Sequence, residues 1–578
     1  MKTDKHRSIR RVAFLAGLAA VVLSACSEMA DTEQVPTDIE IATPALSFDD
    51  VTEEAGLAGF MHETGAFGEK WFPESMGSGV AFIDYDGDGW QDILLAGGGR
   101  WPESPDGPSK ALWLFRNNGD GTFSDRTEKA GLGGLDAYGL GLAVGDYDGD
   151  GDPDVYLTTL GTNLLLANEA GTFREVDAGV DGEPVWSSSA IFFDADRDGD
   201  LDLYVGNYVD WSPSADVYCS LDGVNKSYCT PETYTGRPGR FYRNEGDGTY
   251  IDATESAGFL PAPGKTLGVA ELDFNRDGWP DLMVANDTQR DLLYVNDGDG
   301  TFTERGALSG VAYDEGGKAR AGMGVDTGVV DGTEETSIFV GNFSSEMIGV
   351  YRHLRDGLFI DRAAASQIGR PSLMSLSFGL FLADLDLDTD LDLFAANGHV
   401  QPEIENVQES VGYEERPHLF LNRGDGTFHD AAPEIGGVLA EEYLARGTAF
   451  ADYDGDGDVD ILIAENGGGV HLWRNTLMTG DGDPGFLRVT LVGRESSREG
   501  ISSRVEAYVD DLAMVRRVRS GSSYMSQSEL PVTFGLGERS RVDSLVVFWS
   551  SGVVDRLVDV AGNRHVLLVE GSGRRLIQ

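Results

Sequence analysis

FADYDGDGDVDILIAENGGGVHLWRN (450–475) packs five aspartates, Asp452, Asp454, Asp456, Asp458 and Asp460, into nine residues and follows them at once with an apolar run. Oxygen at alternate positions is the donor pattern that a hard cation such as Ca2+ takes. Side chains at positions 1, 3 and 5 of such a loop converge, position 7 offers its backbone carbonyl, and the aspartate at position 9 closes the shell. Glycine at position 6 allows the positive φ of a sharp turn. An EF-hand is excluded because it needs glutamate at position 12, where Ile463 stands. The flanks are short and apolar, so the loop joins two strands and not two helices.

The phrase D-x-[DN]-x-D-x-x-x-D occurs six times, with starts about 50 to 80 residues apart. The copies give these ligand positions: Asp84, Asp86, Asp88, Trp90 and Asp92; Asp146, Asp148, Asp150, Asp152 and Asp154; Asp194, Asp196, Asp198, Asp200 and Asp202; Asp273, Asn275, Asp277, Trp279 and Asp281; Asp384, Asp386, Asp388, Asp390 and Asp392; and the five already named. About six Ca2+ ions are expected, one per intact loop. A seventh, eroded copy begins at Asp326 and has Gly328, Val330 and Glu334 where aspartates should stand, so no ion is expected there. Thr389 replaces the position-6 glycine and predicts weaker binding in the Asp384 loop.

A second phrase follows the first, as in LFRNNGDGTFSDRTEKAGL (114–132), FYRNEGDGTYIDATESAGF (241–259), LYVNDGDGTFTERGALSG (293–310) and LFLNRGDGTFHDAAPEIG (419–436). Each reads as a strand, an Asn/Asp-Gly turn and a strand. One unit is therefore four strands, and there are seven units. The last stops at HLWRN (471–475) without its TFxDxT strand, while an orphan of that type, LSFDDVTEEAGL (46–57), precedes the first. A ring that borrows its first strand for its last unit explains both ends. The expected fold is all-β, a seven-bladed β-propeller over 46–476 closed by an N-terminal strand.

The chain carries 98 Asp+Glu against 44 Lys+Arg, a net charge of −54, which excludes nucleic acid as a partner. From Gly485 onward the balance changes to 13 arginines against 11 carboxylates. Alternating runs such as RVTLVG, RVEAYV and SLVVFW make 485–578 a separate small β-sandwich or barrel, whose arginines either solvate one face or dock on the acidic propeller. At the other end, a basic stretch, an apolar run from Val12 to Leu23 and Leu23-Ser24-Ala25-Cys26 resemble a bacterial lipoprotein signal. On that reading 1–25 is the signal peptide, Cys26 is lipidated, and 26–45 is an acidic tether to the envelope membrane. Cys219 and Cys229 are expected to form a disulfide.

The loops and their G-x-G-V-A-F lead-ins resemble FG-GAP (VCBS-type) repeats, the calcium-loop blades also found in integrin α-chain heads. NYVDWSP…YCSLDGVNKSYCTPETYTG (207–236), LFAANGHVQPEIE (393–405) and the C-terminal GISSRVEAYV, VRSGSSYMSQSE, VTFGLG and VDSLVVFWSSG are similar to bacterial homologues of cartilage acidic protein with an ASPIC/UnbV domain. The resemblance covers roughly 46–570 and implies the propeller, export and calcium.

No HExxH, GxSxG or zinc spacing is present, and AGFLPAPGKT (257–266) misses the spacing of a phosphate loop. His399, in the Asn-Gly-His segment, reads as a turn or hydrogen-bonding residue. Trp211, Tyr218, Tyr228 and Tyr234 surround the cysteines and offer either a binding surface or loop packing. The expected function is an exported, lipid-anchored, calcium-binding adhesion module for an extracellular glycan or protein. The alternative is a biosynthetic cyclase- or transferase-type enzyme with its site at the propeller's axial mouth.

Overall fold

The computed structural model describes residues 46–101, 109–259, 263–314, 316–355, 357–478, 483–573 and 575–577. The expected signal peptide, tether and Cys26 lie outside the described residues. Ala45–Gln578 forms one compact unit.

The strands pair into seven four-stranded sets, referred to as blades 1 to 7, over 80–125, 139–176, 185–252, 266–304, 322–361, 377–430 and 445–475. Val185 and Trp186 also pair with Leu160 and Gly161, which joins blades 2 and 3 into one sheet. The first strands of successive blades touch one another, and the contacts return from Ala445–Ala451 to Val80–Ile83. Blade 7 obtains its fourth strand from the N-terminal side: Phe48–Asp50 runs antiparallel to Val470–Asn475, with Phe48 opposite Asn475 and Asp50 opposite Trp473. Phe48 is buried in a cluster with Phe394 and Trp473.

Each blade is covered on both faces by its neighbours, so its inner strands are apolar throughout and do not alternate. Ile93, Leu94 and Leu95 are all fully buried. At roughly 1.5–3 kcal/mol per buried aliphatic side chain, blade-to-blade packing is the main stabilising term of the ring.

Strand direction puts every aspartate loop, together with every Asn/Asp-Gly turn, on one face of the ring. The opposite face carries the connections between second and third strands, including the 207–240 insertion. There Cys219 and Cys229 are disulfide-bonded, with Cα atoms 5.2 Å apart. Trp211 and Tyr234 are buried, and Tyr228 donates its hydroxyl to Glu74 at 3.1 Å; only Tyr218 of the four is presented to solvent, at 63% exposure. Packing therefore accounts for three of these aromatics.

The C-terminal region folds into two four-stranded sheets. One contains Gly485–Val492, Val532–Gly537, Arg564–Val569 and Arg575–Ile577; the other contains Arg504–Val509, Leu512–Arg517, Arg541–Phe548 and Val554–Ala561. Leu487, Phe534 and Val566 of the first share a core with Val505, Leu545 and Val547 of the second. This sandwich sits on the loop face. From it, residues 520–529 enter the ring and bond to the inner strands: Ser523 exchanges backbone bonds with Val325 at 2.8 and 3.0 Å, and Gln527 donates to Val80 at 2.9 Å. The Met525 carbonyl accepts from Leu142 at 3.1 Å, and its N–H donates to Ser189 Oγ at 3.0 Å.

Tyr524 and Met525 meet Phe72, Trp186 and Tyr208 in one buried cluster that also takes in Leu140, Leu267, Met323 and Phe378 from the inner strands. The axial mouth expected for the alternative catalytic site is thus filled, by a C-terminal segment from one side and by Phe72 and the disulfide insertion from the other.

Candidate functional site

The site starts from loop geometry. In all six loops positions 4 and 6 have positive φ. Position 6 is glycine except at Thr389 (φ 105°). Position 4 is Gly87, Gly149 and Gly455 in three loops but Arg197 (φ 64°), Arg276 (φ 60°) and Leu387 (φ 55°) in the others. These two reversals fold the chain so that side chains from positions 1, 3 and 5 converge, as when Asp84 accepts from the N–H groups of Asp88 and Gly89, each at 3.0 Å.

Five loops bring three carboxylates together with one oxygen of each within 4.8 Å of the others: Asp84, Asp86 and Asp92; Asp146, Asp148 and Asp154; Asp194, Asp196 and Asp198; Asp384, Asp386 and Asp388; Asp452, Asp454 and Asp460. Position 9 completes the triad in three of them and position 5 in two. The Asp273 loop is not among these triads: Asn275 holds position 3, and Arg517 meets Asp273 at 2.9 Å.

Burial and like charge push several of these groups up. Asp84 and Asp146 are raised to about 6 and Asp194 to about 7, by burial first and neighbouring carboxylates after it. Several buried oxygens have no hydrogen-bond partner: both of Asp194, and Oδ1 of Asp196, Asp273, Asp384 and Asp454. Crowded, partnerless oxygens with no nitrogen or sulfur donor fit a hard divalent cation. In such a loop positions 1 and 3 would be ligands together with position 9 or position 5. Arg116 already pairs with Asp86 and Asp88, so blade 1 has a partial counter-charge of its own.

Position 9 does more than close a shell. In every intact loop its carboxylate accepts from two backbone N–H groups, one from position 2 and one from an asparagine ending the third strand. Asp154 takes Tyr147 at 3.0 Å and Asn168 at 2.7 Å, and Asp281 takes Phe274 at 2.6 Å and Asn296 at 2.7 Å. The asparagine side chain then donates to the loop of the preceding blade: Asn117 to the Tyr453 carbonyl, Asn168 to Tyr85, Asn244 to Tyr147, Asn296 to Ala195, Asn422 to Val330 and Asn475 to Leu385, all at 2.7–2.9 Å. These six asparagines were not singled out by the sequence reading. Their signal was present, since each intact unit writes Asn before its turn and the eroded unit, VYRHLRDG, does not.

The C-terminal sandwich meets the same loops at position 1. Arg516 lies 3.5 Å from Asp384, Arg488 lies 3.6 Å from Asp452, and Arg519 pairs with the fully buried Asp326 of the eroded unit. Where the loop has lost its carboxylates, a guanidinium supplies the positive charge. In blade 2 the sandwich offers an acid instead: Glu499 accepts from the Asp146 N–H at 2.7 Å, and its Oε2 is buried without a partner.

His399 lies at a structural junction. Its Nδ1 accepts from the Gln401 N–H at 3.1 Å and its carbonyl accepts from Arg446 at 3.2 Å. Burial first, then Arg446, lowers it to about 4, so it is neutral at physiological pH.

Four segments, 84–157, 146–205, 273–334 and 410–463, match the FG-GAP-like repeat family, and 493–575 matches the ASPIC and UnbV family. Among curated proteins the chain is 25% identical over 470 residues to cartilage acidic protein 1 of Mus musculus, covering 71% of this chain and 70% of that one. It is 24% identical to the Homo sapiens protein, covering 71% and 69%. Among solved structures, an Agrocybe aegerita lectin described as recognising non-reducing terminal N-acetylglucosamine matches with a TM-score of 0.39 at 16% identity, over 70% of this chain and 94% of that one. That last likeness is too distant to bear on a ligand. The chain therefore carries FG-GAP repeats and an ASPIC/UnbV domain.

Proposed function

We propose that this is a calcium-loaded ligand-binding or adhesion module, exported and held to the bacterial envelope through a lipid on Cys26, with an extracellular glycan or protein as partner. The observation that supports calcium is the convergence of three carboxylates in each of five loops, several with buried oxygens that nothing else satisfies. Calcium bound there would neutralise the acids and stiffen each loop at the joint where the preceding blade is attached. This chain's own residues do the positioning: the asparagine that ends the third strand of each intact unit holds position 9, and position 9 holds position 2. Adhesion is supported by the repeat type and the relatives, and by an axis filled with side chains where a catalytic pocket would need space.

The experiment is binding of the chain from Ser27 to Gln578 to arrays of glycans and surface proteins, with calcium and then with chelator. Saturable binding to one class, lost on chelation, is expected. Silence in both conditions from folded protein would overturn the reading.

A further inference from the structure

A cleft of about 240 Å³ opens at the seam between the loops of blades 3 and 4 and the C-terminal sandwich. Arg197 and Arg276 come from the loops, Arg504 and Arg517 from the sandwich, and Phe548 and Trp549 form an aromatic wall. The only carboxylate in the lining is Asp277. Four guanidiniums against one acid is the reverse of the balance in a chain of net charge −54.

Three of the arginines have partners. Arg517 lies 2.9 Å from Asp273, Arg504 lies 3.0 Å from Glu506, and Arg276 pairs with Glu334 and Glu335. Arg197 is held more loosely: among the described residues its guanidinium makes no ion pair or hydrogen bond, its Nε is buried and unpartnered, it lies over the Trp279 ring at 4.0 Å, and it feels Asp277, Asp273 and Asp194 only at a distance. The asymmetry extends to the backbone. Arg197 and Arg276 stand at position 4, where positive φ costs a non-glycine residue about 1–2 kcal/mol. Glycine, which adopts that conformation freely, fills the position in three sister loops. Leu387 shares this conformation at position 4, but only Arg197 and Arg276 carry a charged side chain there, and both line the one cleft.

We propose that this cleft binds an oxyanion carried by a small ligand, a carboxylate or sulfate ester on a sugar, gripped by Arg197 and Arg276 with Arg504 and Arg517 behind them. Planar guanidinium forks match the paired oxygens of such groups, and the bonds are charge-assisted. The volume lies below the roughly 300–1,000 Å³ of pockets for drug-sized ligands, which suits a single acidic residue and not an oligomer. This rests on the ligand-binding reading above and names the ligand's charge.

The test is calorimetric titration of the chain, in calcium-containing buffer at physiological salt, with D-glucuronate, D-glucose 6-sulfate and uncharged D-glucose. Saturable one-site binding of a charged sugar, and none of glucose, is expected. The two charged arms tell carboxylate from sulfate. Arg197→Gly and Arg276→Gly remove the side chain and also relieve the backbone, so both variants should melt no lower than the parent while losing roughly tenfold or more in affinity. If neither charged sugar binds, or if Arg197→Gly binds them as the parent does, the inference fails. Array binding that persists in either case would leave the adhesion reading standing and remove only this cleft.

Discussion

The backbone N–H of Asn244 lies 2.9 Å from Oδ1 of Asp202, and the same asparagine's side chain donates to the Leu201 carbonyl at 3.1 Å and to Tyr147, in the neighbouring blade, at 2.8 Å. One asparagine thus fixes its own aspartate loop and ties it to the loop before it. The arrangement repeats in each intact unit, which makes loop order and ring cohesion one mechanical system.

Asn244→Ala should therefore cost about 1–3 kcal/mol, since truncation leaves the buried Tyr147 carbonyl without a donor and the Leu201 carbonyl with the Tyr250 hydroxyl alone. Asn118→Ala, which removes exposed bonds to Thr122 and from Ser124, each at 3.0 Å, should stay within about 0.5 kcal/mol. Urea denaturation of both variants measures the contrast; equal losses would refute the role assigned to the buried asparagine.

The ring closure contains a titratable contact and should be pH-sensitive. His471 lies 3.2 Å from Asp50 of the N-terminal strand and 3.6 Å from Glu465. Burial alone would lower its pKa, but the two carboxylates outweigh burial and raise it to about 9. A folded pKa raised above 6.5 contributes stability that is complete below pH 6.5 and is lost as pH rises through about 9. Asp50 and Glu465 are lowered, by these bonds against burial, so their contribution is present above their unfolded values and is lost as pH falls through the folded ones. His471→Gln should melt lower than the parent near pH 6, by an amount on the order of 1–3 kcal/mol, with the gap closing above pH 9. A gap constant from pH 6 to 10 would contradict this.

Thr389 keeps a β-branched side chain at φ 105°. Thr389→Gly exchanges that strain for the backbone freedom of the sister loops and should raise stability by up to about 1 kcal/mol. A lower melting temperature would show that Thr389 makes a contact worth more than its strain.

Much of this was legible in the chain because it is local. The alternation of Asp452 to Asp460 needs only neighbouring residues, and the glycine at position 6 follows from turn geometry. The closing strand was legible because LSFDD repeats a pattern missing elsewhere. What escaped was non-local. Asn117 reads as a turn residue until the Tyr453 carbonyl, 336 positions away, is beside it. SGSSYMSQSE (520–529) has no periodicity, and its partners come from blades scattered along the sequence. The arginines of 504–519 could be read only as charge, because pairing with Asp273, Asp326 and Asp384 depends on how the sandwich sits on the ring. Position 4 was overlooked for the opposite reason: glycine in three copies hid the fact that the conformation, and not the residue, is constant.

Calcium in the aspartate loops is read most plainly from metal content. The chain, dialysed against calcium and then against metal-free buffer, is assayed by elemental analysis and melted with and without chelator. Five or six calcium ions per chain are expected, with a melting temperature that falls substantially when they are removed. Protein that is folded yet free of calcium, with the same melt in chelator, would contradict the calcium assignment.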